Sequence, residues 1–379
     1  MIRSAQCTWS KDSDWHSLET LGVMDSPQTL VLLFGVTDSP EYTDAVHRLL
    51  AFFPNSHVAG CSSSGEINNS VISVSEAQIV ATIYQFDHTQ IRIEHIDIEP
   101  ERSFEAGKVL GKSLYQDSLT WVFVLSDGLM VNGSELASGF NSILPASIPV
   151  TGGLAGDHGR FEKTLVWYQN HAKSGRIVAI GFYGHRLHVG FGSGGGWREF
   201  GPDRTVTHSE SNVVYEIDYE PALSLYRTYL GEQANELPGS GLRYPLNLYV
   251  EEAGTSVIRT LLAIDEEEES VTFAGDVPEG AKVQLMSADI PSLVKGAEDA
   301  AKNCEGKSSP DAAILISCVG RRLLFNQMAD DEVDAVREVL GKDALLCGFY
   351  SYGELAPYGQ AFNCGLHNQT MTITTLKED

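Results

Sequence analysis

Three stretches of this chain repeat one order: an apolar run, a polar loop, an amphipathic segment, a second apolar run, and a glycine loop followed by an acid. In the first, Leu30 to Phe34 precede Gly35 and a polar loop, and Ser39-Pro40-Glu41 read as the N-cap, first-position proline and first-turn acid of a helix. Tyr42, Ala45, Val46, Leu49, Leu50 and Phe53 fall on one helical face, and Pro54 ends it. His57 to Ala59 then enter Gly60-Cys61-Ser62-Ser63-Ser64-Gly65-Glu66. The second copy runs from Trp121 to Leu125 through Ser126-Asp127-Gly128. Its helix carries Leu136, Phe140, Ile143 and Leu144, and it closes on Gly152-Gly153-Leu154-Ala155-Gly156-Asp157. The third runs from Ala313 to Ser317 through Cys318-Val319-Gly320-Arg321 and a helix with Val333, Val336 and Leu340, to Gly348-Phe349-Tyr350-Ser351-Tyr352-Gly353-Glu354. Leu30 to Gly60 and Val122 to Gly152 have equal spacing, and the third copy is longer by about four residues.

A strand-helix-strand unit used three times predicts an α/β class: two lobes built from these units, with mixed sheets packed by outer helices. Alternating, β-branched segments between the units (Ile79 to Phe86, Ile91 to Ile98, Leu165 to Gln169, Ile177 to Tyr183, Leu187 to Phe191) read as antiparallel strands. Helices are expected over Pro221 to Leu230 and Ile290 to Asn303, and the acid run Asp265 to Glu269 reads as a solvated turn between strands. A length of 379 residues suits about two domains, with the boundary near residue 222.

The glycine loops admit two readings. Each is explained by a tight turn after a buried strand. Three loops of one chemistry at one end of a layered fold also suit a ligand site, because consecutive N–H groups there bind polar atoms. Gly60, Ser63, Gly65 and Glu66 match Gly348, Ser351, Gly353 and Glu354 position for position, which suggests a duplicated element and one shared pocket between the lobes. In that pocket Glu66, Asp157 and Glu354 accept from a ligand or cap their own turns, and Arg321 supplies the counter-charge for an anionic one.

Other motifs lead away from catalysis. Gly190-Phe191-Gly192-Ser193-Gly194-Gly195 matches a dinucleotide fingerprint by letter, but Gly201-Pro202 leave no room for the helix that holds a pyrophosphate. Gly107 to Ser113 resembles a phosphate loop one residue short, inside a helical pattern. No nucleophile elbow and no zincin motif occurs. Cysteine chemistry stays open at Cys61 and at Cys318, where a nearby guanidinium lowers a thiol pKa unless the residue is merely a small buried strand end.

Charge and hydropathy narrow the partners. Lys plus Arg number 26 against 51 Asp plus Glu, a net charge of −25, which repels phosphate backbones and anionic lipid headgroups. No nucleic-acid or membrane partner is expected. No apolar run nears the length of a bilayer span, and the first residues lack the apolar core of a secretory signal. The six cysteines show no C-x-x-C spacing, which suits a reducing, cytoplasmic location and argues against a zinc site.

The loops just quoted, together with Ser126-Asp127-Gly128, Gly192-Ser193-Gly194-Gly195-Gly196-Trp197 and Cys318-Val319-Gly320-Arg321, resemble the signatures of FIST-domain proteins. The resemblance covers nearly the whole chain. Residues 1–222, with a core from about 29, are similar to the N-terminal FIST domain, and 223–379, with a core to about 362, to the C-terminal one. This chain has Arg322 where the family often has Gly.

The resemblance implies a bacterial intracellular sensor, not an enzyme, that binds a small, amino-acid-like ligand. It would regulate a separate histidine kinase or cyclic-dinucleotide signalling enzyme. One branch of the family senses nitric oxide through haem. For that branch His188 and His208, beside the glycine-rich Gly190 to Gly196 stretch, are the candidate iron ligands. The expected ligand-binding set is Gly60, Cys61, Ser63, Gly65, Glu66, Asp127, Gly152, Gly153, Asp157, Cys318, Arg321, Gly348, Ser351, Gly353 and Glu354.

Overall fold

In each of the three units two strands lie parallel, and a parallel pair requires a crossover that covers one sheet face. Thr29–Phe34 pairs with His57–Cys61, Leu119–Ser126 with Val150–Leu154, and Ala312–Cys318 with Leu345–Ser351. The crossover helices are Pro40–Leu50, Gly133–Asn141 and, in the longer third unit, Val319–Phe325 followed by Asp330–Leu340. The computed structural model describes all residues except 17, 19, 20, 36, 38, 74–77, 100, 251–253, 305–308 and 359–362. Part of the polar loop after Gly35, and the expected core limit at 362, therefore lie outside the described residues.

Equivalent strands flank each parallel pair. Gln78–Gln85, Arg176–Tyr183 and Met371–Glu378 run antiparallel to the first strand of their units, and Arg3–Ser10, Gln90–Asp97 and Leu187–Gly194 form the outer edges. On the opposite side each sheet is completed by a hairpin from another unit. Glu66–Asn68 with Val71–Ser73 joins Leu345–Ser351, Val166–Tyr168 with His171–Lys173 joins His57–Cys61, and Gly353–Pro357 with Cys364–His367 joins Val150–Leu154. Three six-stranded sheets are thus closed into a ring by exchanged hairpins, and the exchange crosses residue 222 in both directions.

Burial follows from this ring. The inner faces pack together around Phe34, Phe123, Ile316 and Phe349, with Phe34 stacked on Phe349 at 4.8 Å. Helices cover the outer faces. Tyr42, Ala45, Val46 and Leu49 seal the first sheet, Leu110, Leu136 and Phe140 the second, and Ala297, Val333 and Val336 the third. Burying a Val, Leu or Phe side chain here contributes about 1.5–3 kcal/mol. The class is α/β with mixed sheets and outer helices, as the repeat predicts.

Between the edge strand Leu187–Gly194 and the helix Ile290–Asn303 the third unit carries an insert, a nine-stranded sheet that includes Arg204–Glu210, Leu246–Val250, Leu261–Asp265 and Ser270–Phe273. The helix Ala222–Leu230 packs on it through Leu223 and Tyr226. Residues 266–269 of the acid run form the turn before Ser270–Phe273, Asp265 ends the strand Leu261–Asp265, and Thr260 alone separates that strand from Thr255–Arg259. The literal dinucleotide motif has a packing role. A Cβ at Gly192 or Gly194 would lie 2.1 Å from the Ala300 carbonyl oxygen or 2.2 Å from that of Gly296, so these glycines let the strand lie on the helix backbone. No helix among the described residues is long and apolar enough to cross a membrane.

Candidate ligand cleft

The first glycine of each loop is dictated by the parallel pair. Gly60, Gly152 and Gly348 sit opposite Leu33, Val124 and Leu315, and a Cβ there would lie 2.3, 2.0 and 1.7 Å from those residues' carbonyl oxygens. Beyond these positions the three loops meet. Ser64 N–H donates to the Tyr350 carbonyl and Tyr350 N–H to that of Gly65, each at 2.8 Å. Gly156 N–H reaches the Ser62 carbonyl at 3.2 Å, and Tyr352 N–H that of Leu154 at 3.1 Å. Gly153 packs against Ile316, and Gly353 against Leu366 and Leu154. The gathering expected from the repeat is present, and it is a buried joint.

The two matching acids lie inside this joint. Ser63 Oγ donates to Glu66 Oε1 at 2.5 Å, and Ser351 Oγ to Glu354 Oε1 at 2.8 Å. Thr370 supplies its N–H and hydroxyl to Glu354 Oε2 at 3.3 and 2.9 Å. Burial pushes both carboxyls up to about 8 against the hydrogen bonds that favour the charge. Cys61 lies in the core, and burial, with Glu66 beside it, holds its thiol well above the ordinary value. Burial also raises Cys318, with Glu354 adding to it. Neither is placed as a thiolate nucleophile.

Arg321 is not a free counter-charge. It is fully buried, its Nε and Nη2 donate to Glu332 Oε2 at 3.0 and 2.7 Å, and its remaining donors reach the Gly195 and Leu293 carbonyls. Ser317 and Tyr350 hydroxyls complete Glu332 through Oε1. The guanidinium is thus consumed inside the third unit.

The haem expectation does not fit either histidine. His188 is exposed and binds Asp379 at 2.7 Å on the outer edge of a sheet. His208 is exposed on the insert's sheet, stacked on Tyr215 at 4.8 Å. Neither is among the residues that line the cavities at Phe161 and Tyr352.

Two acids of the expected set shape something larger. Asp127 accepts from Leu129 and Met130 N–H at 2.8 Å and from Gly175 N–H at 3.0 Å. Asp157 accepts from the N–H groups of Arg160, Phe161, Glu162 and Lys163 and from the Tyr352 hydroxyl. Burial opposes the Asp157 charge, but that hydroxyl and those amides hold its carboxyl below the usual range. The result is Phe161 stacked on Tyr352 at 4.3 Å with 11° between the rings.

That pair stands in a cleft between the ring and the insert. One compartment, of about 460 Å³, is walled by Leu261 and Leu262 of the insert and by Cys318, Val319 and Leu323 of the ring. A second, of about 470 Å³, is lined by Glu101, Leu129, Asn132, Glu135 and Asp276. Phe161, Leu262, Ala274 and Tyr352 belong to both. Each volume falls in the range of small-molecule sites, roughly 300–1,000 Å³. Of the expected ligand set only Cys318 is among the residues that line these compartments. Tyr352 lay within a quoted motif and Phe161 four residues after Asp157, but the insert's contribution had no motif to mark it.

The chain matches the FIST N domain over residues 29–220 and the FIST C domain over residues 222–357, and it belongs to the FIST family. FIST domains are sensory, small-ligand-binding domains. An uncharacterized protein of Methanocaldococcus jannaschii is 25% identical over 324 residues, 79% of this chain and 61% of that protein. The chain therefore spans about three fifths of that curated relative. A solved structure described as cyanuric acid hydrolase aligns over 100% of both chains with a TM-score of 0.29 and 10% identity, a likeness too slight to carry an argument.

Proposed function

We propose that this protein is a sensor whose small ligand binds in the cleft between the three-unit ring and the insert, and that occupancy is passed to a separate signalling enzyme, a histidine kinase or a cyclic-dinucleotide enzyme. The observation that carries the reading is the cleft itself: its walls come from two packed bodies of one chain, so a guest that touches both changes how they sit together. The acids of the glycine loops act as positioning residues, with Asp157 fixing Phe161 and Tyr352 and Asp127 fixing Leu129 and Met130. Family membership supports the sensory role.

Native mass spectrometry tests this on the full chain. A copurifying small molecule is expected on the wild type and is lost in Ala274→Trp, which fills the cleft where its two compartments meet. Equal occupancy in the folded variant, or no bound species in either protein from any expression medium, overturns the reading.

A further inference from the structure

The walls of the cleft carry charge of one sign. In the apolar compartment Leu242, Leu261, Leu262, Val319 and Leu323 surround the Phe161–Tyr352 stack. In the neighbouring compartment Glu101, Glu135 and Asp276 present carboxyl groups. No Lys or Arg is among the described residues that line either one. Asp276 Oδ1 accepts from Asn132 Nδ2 and Ser211 Oγ, each at 3.1 Å. Among the described residues Glu101 and Glu135 have no ion-pair partner.

Two nearby guanidinium groups are engaged elsewhere. Arg259 donates to the carbonyls of Asp276, Ile258 and Leu366. Arg321 is spent on Glu332; Arg322, whose Nε has no hydrogen-bond partner, lies beside Gly65 and is not among the residues that line either compartment. Among the described residues that line the two compartments, an anionic guest would thus meet carboxyl groups and no cation.

Two further features describe the guest. Phe161 is 48% exposed although one face is covered by Tyr352, which leaves an aromatic surface able to attract a cation. Thr260, 4% exposed and on the wall of the apolar compartment, has a hydroxyl with no hydrogen-bond partner, a group whose burial is costly until something satisfies it.

We infer that the cleft takes a small organic cation, an amine on an apolar or aromatic body. The body lies among Leu261, Leu262, Leu323 and Tyr352, and the ammonium lies toward Glu135 and Asp276. This rests on the small-ligand reading above and adds the charge of the ligand to it.

Calorimetric titration of the full chain at low salt, with three probes that share a body, tests the inference: phenethylamine, 2-phenylethanol and 3-phenylpropionate. The amine is expected to bind at least about fivefold more tightly than the alcohol, and the carboxylate more weakly than both. Glu135→Gln, a change at a side chain with no partner to lose, should remove most of the amine's advantage and leave the alcohol unchanged. Carboxylate binding as tight as that of the amine, an amine advantage that survives Glu135→Gln, or no saturable amine binding overturns the assignment of a cation. The small-ligand reading stands or falls separately, on the copurifying species and Ala274→Trp.

Discussion

The glycine loops of the first and third units share four residues and differ in how their polar groups are satisfied. In the third, both oxygens of Glu354 are occupied, and the adjoining Arg321–Glu332 pair is completed by Ser317 and Tyr350. In the first, Ser63 serves one oxygen of Glu66, while Glu66 Oε2, Ser64 Oγ and Arg322 Nε have no partner among the described residues. One sequence pattern therefore yields a finished structural joint in one place and an unfinished one in another. The difference comes from neighbours remote in sequence, Thr370 and Glu332 above all. A buried polar group without a partner costs about 1–3 kcal/mol, so the two loops contribute unequally to stability.

The largest effect that would break this comparison lies at the finished joint. Arg321→Ala leaves buried Glu332 without its counter-charge and with only the Ser317 and Tyr350 hydroxyls as donors, and chemical denaturation should show a loss of about 3–5 kcal/mol; Arg321→Met with Glu332→Leu should recover most of it. A loss below about 1 kcal/mol in the single variant would mean that the pair does not lock the third loop.

Next in size is the contrast between the acids. Glu354→Leu strands the Thr370 N–H and hydroxyl and leaves the Ser351 hydroxyl only the Ser317 carbonyl at 3.4 Å, and should cost about 2–4 kcal/mol. Glu66→Leu strands the Ser63 hydroxyl, takes from Ser73 and Arg322 a lesser interaction, and removes an oxygen with no hydrogen-bond partner, so about 1 kcal/mol or less is expected. Equal losses would erase the distinction between the loops.

The smallest effect is a slope with pH. Both carboxyls titrate at about 8 when folded, against an ordinary 4.5, so in that window the folded state holds protons that the unfolded state has released. Stability falls as pH rises from 4.5 through 8 and levels off above. Burial of His367 lowers it from 6.5 to about 4, which gives the opposite slope only below 6.5. Between pH 6.5 and 8 each carboxyl contributes a fall of about 1.4 kcal/mol per pH unit. Glu66→Leu and Glu354→Leu should each remove one such share in urea titrations across that range. An unchanged slope would show that the loop carboxyl is ionised at neutral pH.

The repeat made much of the fold legible. Ser39 caps the helix Pro40–Leu50 as its spacing predicts, and Ile290–Asn303 has the expected limits. The exchange of hairpins was not legible, because strands as short as Glu66–Asn68 carry no period of their own and find their partner only when the ring closes. At the site, periodicity located the loops but not their exposure. Asp157 was visible as an acid after a glycine, yet its ring of backbone donors and its hold on Tyr352 exist only once the loop is folded. Arg321 looked free because Glu332 follows eleven residues later on another helix. The cleft needed the insert, whose wall residues Leu261 and Leu262 begin an ordinary-looking strand.

A crystal structure of the protein purified with its small molecule is the most direct measurement of the central claim. Density is expected against the Phe161–Tyr352 stack, between Leu262 of the insert and Leu323 of the ring. Density beside Glu66 and Arg322 instead, with the cleft open to solvent, would contradict it and make the unfinished loop the sensing site.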